Sequence, residues 1–504
     1  MNRLFALASI VVSAFLLADT VASASKAKVG PLIPVSATDP LPPGCDGPNR
    51  DAEIEPSLAV NPRNPDKQVM AWMQGTPPQA LTIVSANSGD GGKSWDQVLV
   101  PDNTQCVGGD LEVVIDPWLA YGPSGTVLLS SIAYTGDDPD LGVTVNSSTD
   151  NGASWSDPAF VAGPSFKDKE AITADPVRAR TSYVVWRALF NPRDILFSRI
   201  RNGGSNWSQP ISLYEASPTE FGQVSEVIAT GPGKLVAVFT VTDLGAAGLP
   251  TKLLARRSSD GGRTWSGLKE LAEVPFIVPH DPETDAPISW GSHNFAADGV
   301  PGHGIFVAYQ DPKSPTESKI KVVHSRSGRK WSKPRLASKG AVSPIIPDLS
   351  VDRNGTVALR FYDFRNDATG DGELTTDSWF RHSHDGGRSW REEKLGAGFD
   401  LRTAPVAGGS LPGYKLGEYQ GLAATHNGFA TAFTRAKPAA VEGASDIFYT
   451  SIKLKPGRAC QQAKKNVKQA KEKVKQARKS GNHKRIKKAK KRLKKARRAK
   501  EGAC

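Results

Sequence analysis

One short pattern recurs along the chain and limits what it can fold into. SGDGGKSW (88–95), STDNGASW (148–155), SSDGGRTW (258–265) and SHDGGRSW (383–390) carry Ser, Asp, Gly and Trp at fixed offsets. Two worn copies lie between them. IRNGGSNW (200–207) has Ile200 and Asn202 in place of Ser and Asp, and SRSGRKW (325–331) lacks the Asp and is one residue short. The Trp positions, 95, 155, 207, 265, 331 and 390, step by about 59 residues. Asp and Gly are turn residues, Gly because it takes positive φ freely. Ser and Asp side chains can bond the turn's own amides, and the Trp offers a large apolar face to bury beneath it. Upstream of the copies run β-rich segments such as QVMAWM (68–73), TSYVVW (181–186), LVAVFT (235–240) and TVALRF (356–361). A step of this length accommodates four short strands and their loops, and such units arranged around an axis form a β-propeller.

The expected fold class is therefore all-β, with one blade per repeat and the six Trp buried at equivalent hairpins. Six motif-bearing units end near Trp390. A further unit follows at 421–424, 429–434 and 446–452, with no motif and no fourth strand of its own. The segment 29–35, ahead of the first unit, can supply that strand beside 446–452 and close the ring. Seven blades are preferred on this count, with six as the alternative.

The pattern S-x-D-x-G-x-x-W resembles the Asp-box, or BNR repeat, of the sialidase superfamily, and the resemblance covers about residues 30–454. It implies motifs on hairpins between the third and fourth strands, away from catalysis, and a glycan-processing hydrolase working at the channel mouth. The rival reading is a non-catalytic extracellular propeller that binds glycan or protein. In the family, three Arg clamp the substrate carboxylate, a task suited to a planar fork. A Tyr is the nucleophile, a Glu activates it and an Asp is the general acid. Tyr419, in EYQGL (418–422), resembles the family's Tyr-bearing strand. Glu418 is its neighbour, but adjacent strand residues face opposite ways, so Glu226 is an equal candidate for the base. Asp116 or Glu112 would be the acid. Arg360 and Arg365 lead as clamp residues, followed by Arg187 and Arg402. The chain also departs from the family. Where relatives carry Arg in a Phe/Tyr-Arg-Ile-Pro motif, this sequence reads EPSLAV (55–60), and Arg50 lies outside the pattern. Three Arg converging on Tyr419 would mark the enzyme; a channel without them favours the binder.

Acids recur where the innermost strands should begin, at Glu55, Asp116, Asp168, Glu170, Glu226, Asp348 and Glu418. They could line a mouth that binds sugar hydroxyls or a cation, or simply cap and solvate loop starts. No cofactor is implied: HExxH, CxxC, the P-loop, the dinucleotide glycine pattern and the G-x-S-x-G elbow are all missing from the sequence. Ca²⁺ is weakly suggested by the loop 367–373 and the acidic turn 137–140, neither a complete Ca²⁺ loop.

Both ends of the chain stand apart from this body. Residues 1–24 read as a secretory signal, with Arg3, the apolar run 4–18 and an Ala-Ser-Ala cleavage site at 22–24. The protein is thus expected to be secreted as a monomer without a membrane span. The propeller occupies 25–454. The net charge of +13 over the whole chain misleads, because 455–504 hold 22 Lys and Arg against two acids, leaving the body acidic. Within the tail, Ala463, Val467, Ala470, Val474 and Ala477, then Ile486, Ala489, Leu493 and Ala496, form a heptad seam in two runs broken at Gly481 and Asn482. That pattern predicts helices over about 461–479 and 484–501 folded into an antiparallel hairpin. Its basic faces suit a polyanion, such as a wall polymer, anionic glycan or lipid, that would retain the protein at a surface. With no interleaved aromatics, specific nucleic-acid recognition is not expected. Four Cys allow three pairings; Cys45 with Cys106 and Cys460 with Cys504 keep each bridge within one unit.

Overall fold

The computed structural model describes residues 27–501, apart from 46–50, 76–81, 102, 136–141, 162–166, 189–192, 202, 204–205, 289–294, 408–412, 439–442 and 455–457. The proposed signal segment 1–24, the turn 137–140 and Cys504 lie outside the described residues.

Seven antiparallel sheets of four or five strands follow one another along the chain, with a two-stranded ribbon, Val406–Ala407 and Gly413–Tyr414, ahead of the last. The first blade has strands Glu53–Val60, Gln68–Gln74, Thr82–Ser88 and Asp96–Leu99, numbered from the axis outward. Blades two to six begin with Val113–Tyr121, Lys167–Ala174, Glu220–Gly231, Phe295–Val300 and Ile345–Val351. The seventh has Gly421–Thr425, Gly428–Ala436 and Ser445–Leu454 from the C-terminal side. Its outer edge is completed from the N-terminus: Ala27 pairs with Leu454, Val29 with Ile452, and Ile33 with Tyr449. The chain is a seven-bladed β-propeller closed by its own first strand.

Blades stack face to face, so a middle strand is buried on both sides and loses the alternation of a one-sided sheet. Gln68–Gln74 and Val357–Asp363 are buried at every position. Each of the seven blade interfaces carries its own apolar cluster; Met70, Trp72 and Val84 of blade one pack with Ile447 and Tyr449 of blade seven.

The repeat turns lie along these interfaces. Ser88 Oγ accepts the Gly92 N–H at 2.9 Å, and Asp90 Oδ1 accepts the amides of Lys93 and Ser94 at 2.9 and 3.1 Å. The same bonds recur around Ser258 and Asp260 and around Ser383 and Asp385. The Trp ending each motif seals the joint with the preceding blade: Trp155 Nε1 donates to Ser85 Oγ at 2.9 Å, Trp95 packs on Tyr449, and Trp265 on Phe197. Of the six Trp, only Trp155 is buried. The other five keep one edge in solvent, because the turns sit at the rim of the interface rather than inside it.

A disulfide joins Cys45 to Cys106, tying the approach to blade one to the loop that leaves it. Two helices end the chain, α1 (Arg458–Lys479) and α2 (His483–Glu501), packed on each other. Gly481, with φ +64°, ends α1. The Asn482 side chain caps α2 by accepting the Arg485 N–H at 3.1 Å.

A Cβ on Gly262 would lie 2.3 Å from the Phe197 ring at a φ of +76°, whereas one on Gly386, φ +72°, would meet nothing. Gly386→Ala should therefore cost about 1 kcal/mol in backbone strain alone. Gly262→Ala should cost about 3 kcal/mol, strain and overpacking together. Urea denaturation of the two variants checks the difference.

Candidate active site at the channel mouth

Antiparallel order gives the propeller two faces. The repeat turns share one face with the hairpins joining first and second strands, and the innermost strands begin at the other. At that second face the backbone is irregular. Pairing with the second strand skips between Ile54 and Ser57, Ile115 and Trp118, Asp168 and Ala171, and Ile345 and Asp348. In each gap one non-glycine residue is left-handed: Glu55 (φ 57°), Asp116 (56°), Lys169 (52°) and Ile346 (50°). Such bulges re-aim side chains, and each left-handed residue costs on the order of 1–3 kcal/mol.

Three of these four are charged and they meet in one network. Lys169 Nζ lies 3.0 Å from Asp116 Oδ2 and 3.1 Å from Glu418 Oε2. Glu55 Oε1 accepts the Glu418 backbone N–H at 3.2 Å and pairs with Lys415 Nζ at 3.4 Å. Glu170 accepts the Ser130 hydroxyl at 3.1 Å. Arg187 is paired with Asp168 and lies over the Phe221 ring at 4.7 Å. Gly417, φ +97°, lets the chain pass so close that a Cβ would sit 2.4 Å from Glu55 Cγ. Below the network Tyr419 donates to the Pro117 carbonyl at 3.0 Å, its ring 5.0 Å from Trp118.

Burial pushes the Asp116 carboxyl up to about 8, the Lys169 ammonium opposing and the neighbouring acids adding to the rise. Burial likewise lifts Glu170 well above the carboxylate range. For Lys169 burial works against the charge, but Asp116 and Glu418 overcome it and hold the ammonium well above its usual value. Asp168 is buried too, yet Arg187 keeps it low. Tyr419 is raised far above 10 by burial, with Glu55, Asp116, Glu170 and Glu418 contributing.

Beneath the mouth runs a central cavity of about 350 Å³ lined by the innermost strands, Tyr419, Glu226, Asp298 and Asp348 among them. Here the acids act as stitches between blades. Glu226 accepts the Ala297 N–H at 3.1 Å, Asp298 the Val351 N–H at 2.7 Å, and Asp348 the Gln420 N–H at 2.9 Å. Each bond links one innermost strand to the next.

The residues singled out in the sequence are thus distributed unevenly. Asp116, Glu418 and Tyr419 come together at the mouth, with Arg187 at its edge. Glu226 belongs to the cavity wall, and the acids acting on Tyr419 are others. Glu112 is exposed just ahead of its strand. Arg360 is wholly buried, 3.4 Å from Asp348 and 3.6 Å over the Tyr362 ring. Arg365 is held by Asp363 and Glu392 above Trp379, and Arg402 by Asp281 and Glu283. The four Arg do not converge into a clamp, because each is committed to its own carboxylate. In the loop 367–373, Asp367 and Asp371 accept the amides of Thr375 and Glu373. Among the described residues no group of three or more His, Cys, Asp or Glu is arranged to hold a metal ion. Lys169 and Lys415 were not singled out, and Glu55 only as one of the recurring acids. Aligning Glu55-Pro56, Asp116-Pro117 and Ile346-Pro347 with Lys169-Glu170 as one bulge would have exposed Lys169.

No family model and no curated protein matches the chain. Solved structures with a similar trace include the α-L-arabinofuranosidase of Fusarium graminearum, at 14% identity over 66% of this chain and 92% of that one, TM-score 0.44. The NanB sialidase of Streptococcus pneumoniae matches at 10% over 64% and 67%, TM-score 0.41. An ulvan lyase matches at 10% over 79% and 94%, TM-score 0.47. Likeness at this level carries no substrate or mechanism to the present chain.

Burial pushes Asp298 and Asp348 up to about 6, against about 3.9 for an unfolded Asp. The folded state therefore holds more protons between those values, and stability falls as pH rises from about 4 through 6. Asp90 and Asp150 are lowered to about 2 by bonds from Ser94 and Ser154; their contribution is present above about 4 and lost toward 2. The melting temperature should be higher at pH 5 than at pH 8, and Asp298→Asn should flatten that slope, as a calorimetric pH series would show.

Proposed function

We propose that the protein is a glycan-processing hydrolase acting at the channel mouth on a neutral sugar. The observation that supports this reading is the convergence of strained bulge residues: Lys169, left-handed like Asp116, lies 3.0 Å from Asp116 and 3.1 Å from Glu418. Strain of this kind is retained where the surroundings over-determine it, commonly at functional sites. One ammonium neutralises one carboxylate. Burial lets Asp116 keep its proton near neutral pH, as the acid of a glycoside hydrolase must. Two carboxylates touching one nitrogen also stand closer than an inverting pair, which must admit a water between them.

In this reading Glu418 attacks the anomeric carbon while Asp116 gives its proton to the leaving oxygen, and the glycosidic C–O bond breaks. Water then hydrolyses the glycosyl–Glu418 ester, Asp116 taking the proton back. Lys169, 3.1 Å from Glu418, orients its carboxylate before attack. Tyr419, its hydroxyl bound to a carbonyl and its acidity suppressed, forms part of the wall. Arg187, Arg360, Arg365 and Arg402 are each paired with a carboxylate of the protein, so none is offered to an acidic sugar, which is why the sugar is taken as neutral. Export of the chain, the superfamily tie and retention at a polyanion through the basic tail belong to the same proposal.

The second reading, a non-catalytic glycan-binding propeller, is favoured by the missing Arg clamp and by Lys169 already occupying the space between the two acids. A panel of aryl glycosides, sialosides included, separates the two. The hydrolase reading expects turnover of a neutral glycoside and none of a sialoside. Asp116→Asn and Glu418→Gln should each reduce kcat by about 10³-fold or more with the melting temperature within a few degrees, whereas Tyr419→Phe should stay within about tenfold. Binding of glycan without turnover on any member of the panel would establish the binder instead.

A further inference from the structure

The helical hairpin is built so that charge is its only handle on a partner. Every apolar residue of the predicted seam with a described side chain is shielded: Val474 and Ala489 are buried, and Val467, Ala470, Ala477, Ile486, Leu493 and Ala496 are half-buried between the helices. Each Lys and Arg with a described side chain, from Lys465 to Arg497, is exposed. In α2 twelve of nineteen residues are basic and one is acidic, over a length of about 28 Å at 1.5 Å per residue. Lys outnumbers Arg, fifteen to six across the two helices, and an ammonium acts as a hydrated point charge rather than a bidentate fork.

We infer that the hairpin is a docking rod for a linear anionic glycan, a sulfated or carboxylated polysaccharide, laid along α2. A bilayer surface would be gripped by an amphipathic helix that leaves an apolar face to bury among the lipids; here the seam uses that face up. A single-stranded nucleic acid would be gripped by aromatic platforms; residues 458–501 contain no Phe, Tyr or Trp. What remains is a polymer read by charge density alone. The choice of a glycan rests on the hydrolase or binder reading of the mouth: a tail that holds the propeller on the charged component of a glycan matrix would supply the mouth with neutral chains of the same matrix.

The test uses the full-length protein and a variant with Lys484→Gln, Lys488→Gln, Lys491→Gln and Lys495→Gln, all exposed positions on α2. The probes are heparin, polygalacturonate, duplex DNA and phosphatidylglycerol-containing vesicles, each at 0.15 M salt. The expected result is saturable binding to both glycans, about tenfold or more weaker in the variant with helicity unchanged, and abolished near 1 M salt, where the Debye length is ~3 Å. Asp116→Asn should bind the glycans as tightly as the wild type. A failed mouth reading would show as absent turnover with this binding intact, so the two can fail separately. Equal glycan binding by the quadruple variant, or tighter binding of DNA or vesicles than of either glycan, would overturn the proposal.

Discussion

The propeller depends on how closely each repeat turn approaches the blade before it. Gly92 abuts the Tyr449 ring of blade seven, Gly262 the Phe197 ring of blade three, and Gly328 the Val236 side chain of blade four. A left-handed glycine gives the turn its shape and at the same point gives the neighbouring blade room. The Ser and Asp of the motif satisfy the turn's amides, so the hairpin arrives at the interface already rigid. Ring curvature is then a local property repeated around the circle, and the inner strands are delivered to the axis at a fixed spacing.

Much of this was legible because turn chemistry is local. Ser, Asp, Gly and Trp at fixed offsets marked the hairpins, and a missing fourth strand at the end matched a spare strand at the start. Helix lengths in the tail followed from the heptad seam and its break at Gly481. The mouth was only partly legible. Asp116, Glu418 and Tyr419 could be picked out as strand starts, but whether two strand starts touch depends on ring geometry. Arg360 and Arg365 looked available because the segment RFYDFR does not show which carboxylates the folded sheet brings to them. Their partners in the same blade, Asp348 for Arg360 and Asp363 and Glu392 for Arg365, had already claimed them. A lysine in left-handed conformation has no local signature, so Lys169 came to light only through its position in the bulge.

The mouth and the wall beneath it use the same residue type for opposite ends. Glu226, Asp298 and Asp348 spend their oxygens on backbone amides of the next blade, which holds the ring together. Asp116 and Glu418 instead share an ammonium, an arrangement a substrate could replace without opening a blade joint. Chemistry and architecture are thus separated by depth along one axis.

The last strand of the propeller, Ser445–Leu454, ends beside Asn427 on the face that carries the repeat turns. The tail therefore departs from the side opposite the mouth. If the tail is held, any drag on the propeller passes into a strand clamped on both flanks, by Gly428–Ala436 on one side and by Ala27–Val29 and Ile33–Pro34 on the other. Pulled along its length, such a strand loads its hydrogen bonds together in shear rather than peeling them one at a time. Closing the ring with the N-terminal segment thus also makes the point of attachment mechanically strong, and leaves the mouth facing away from whatever holds the leash.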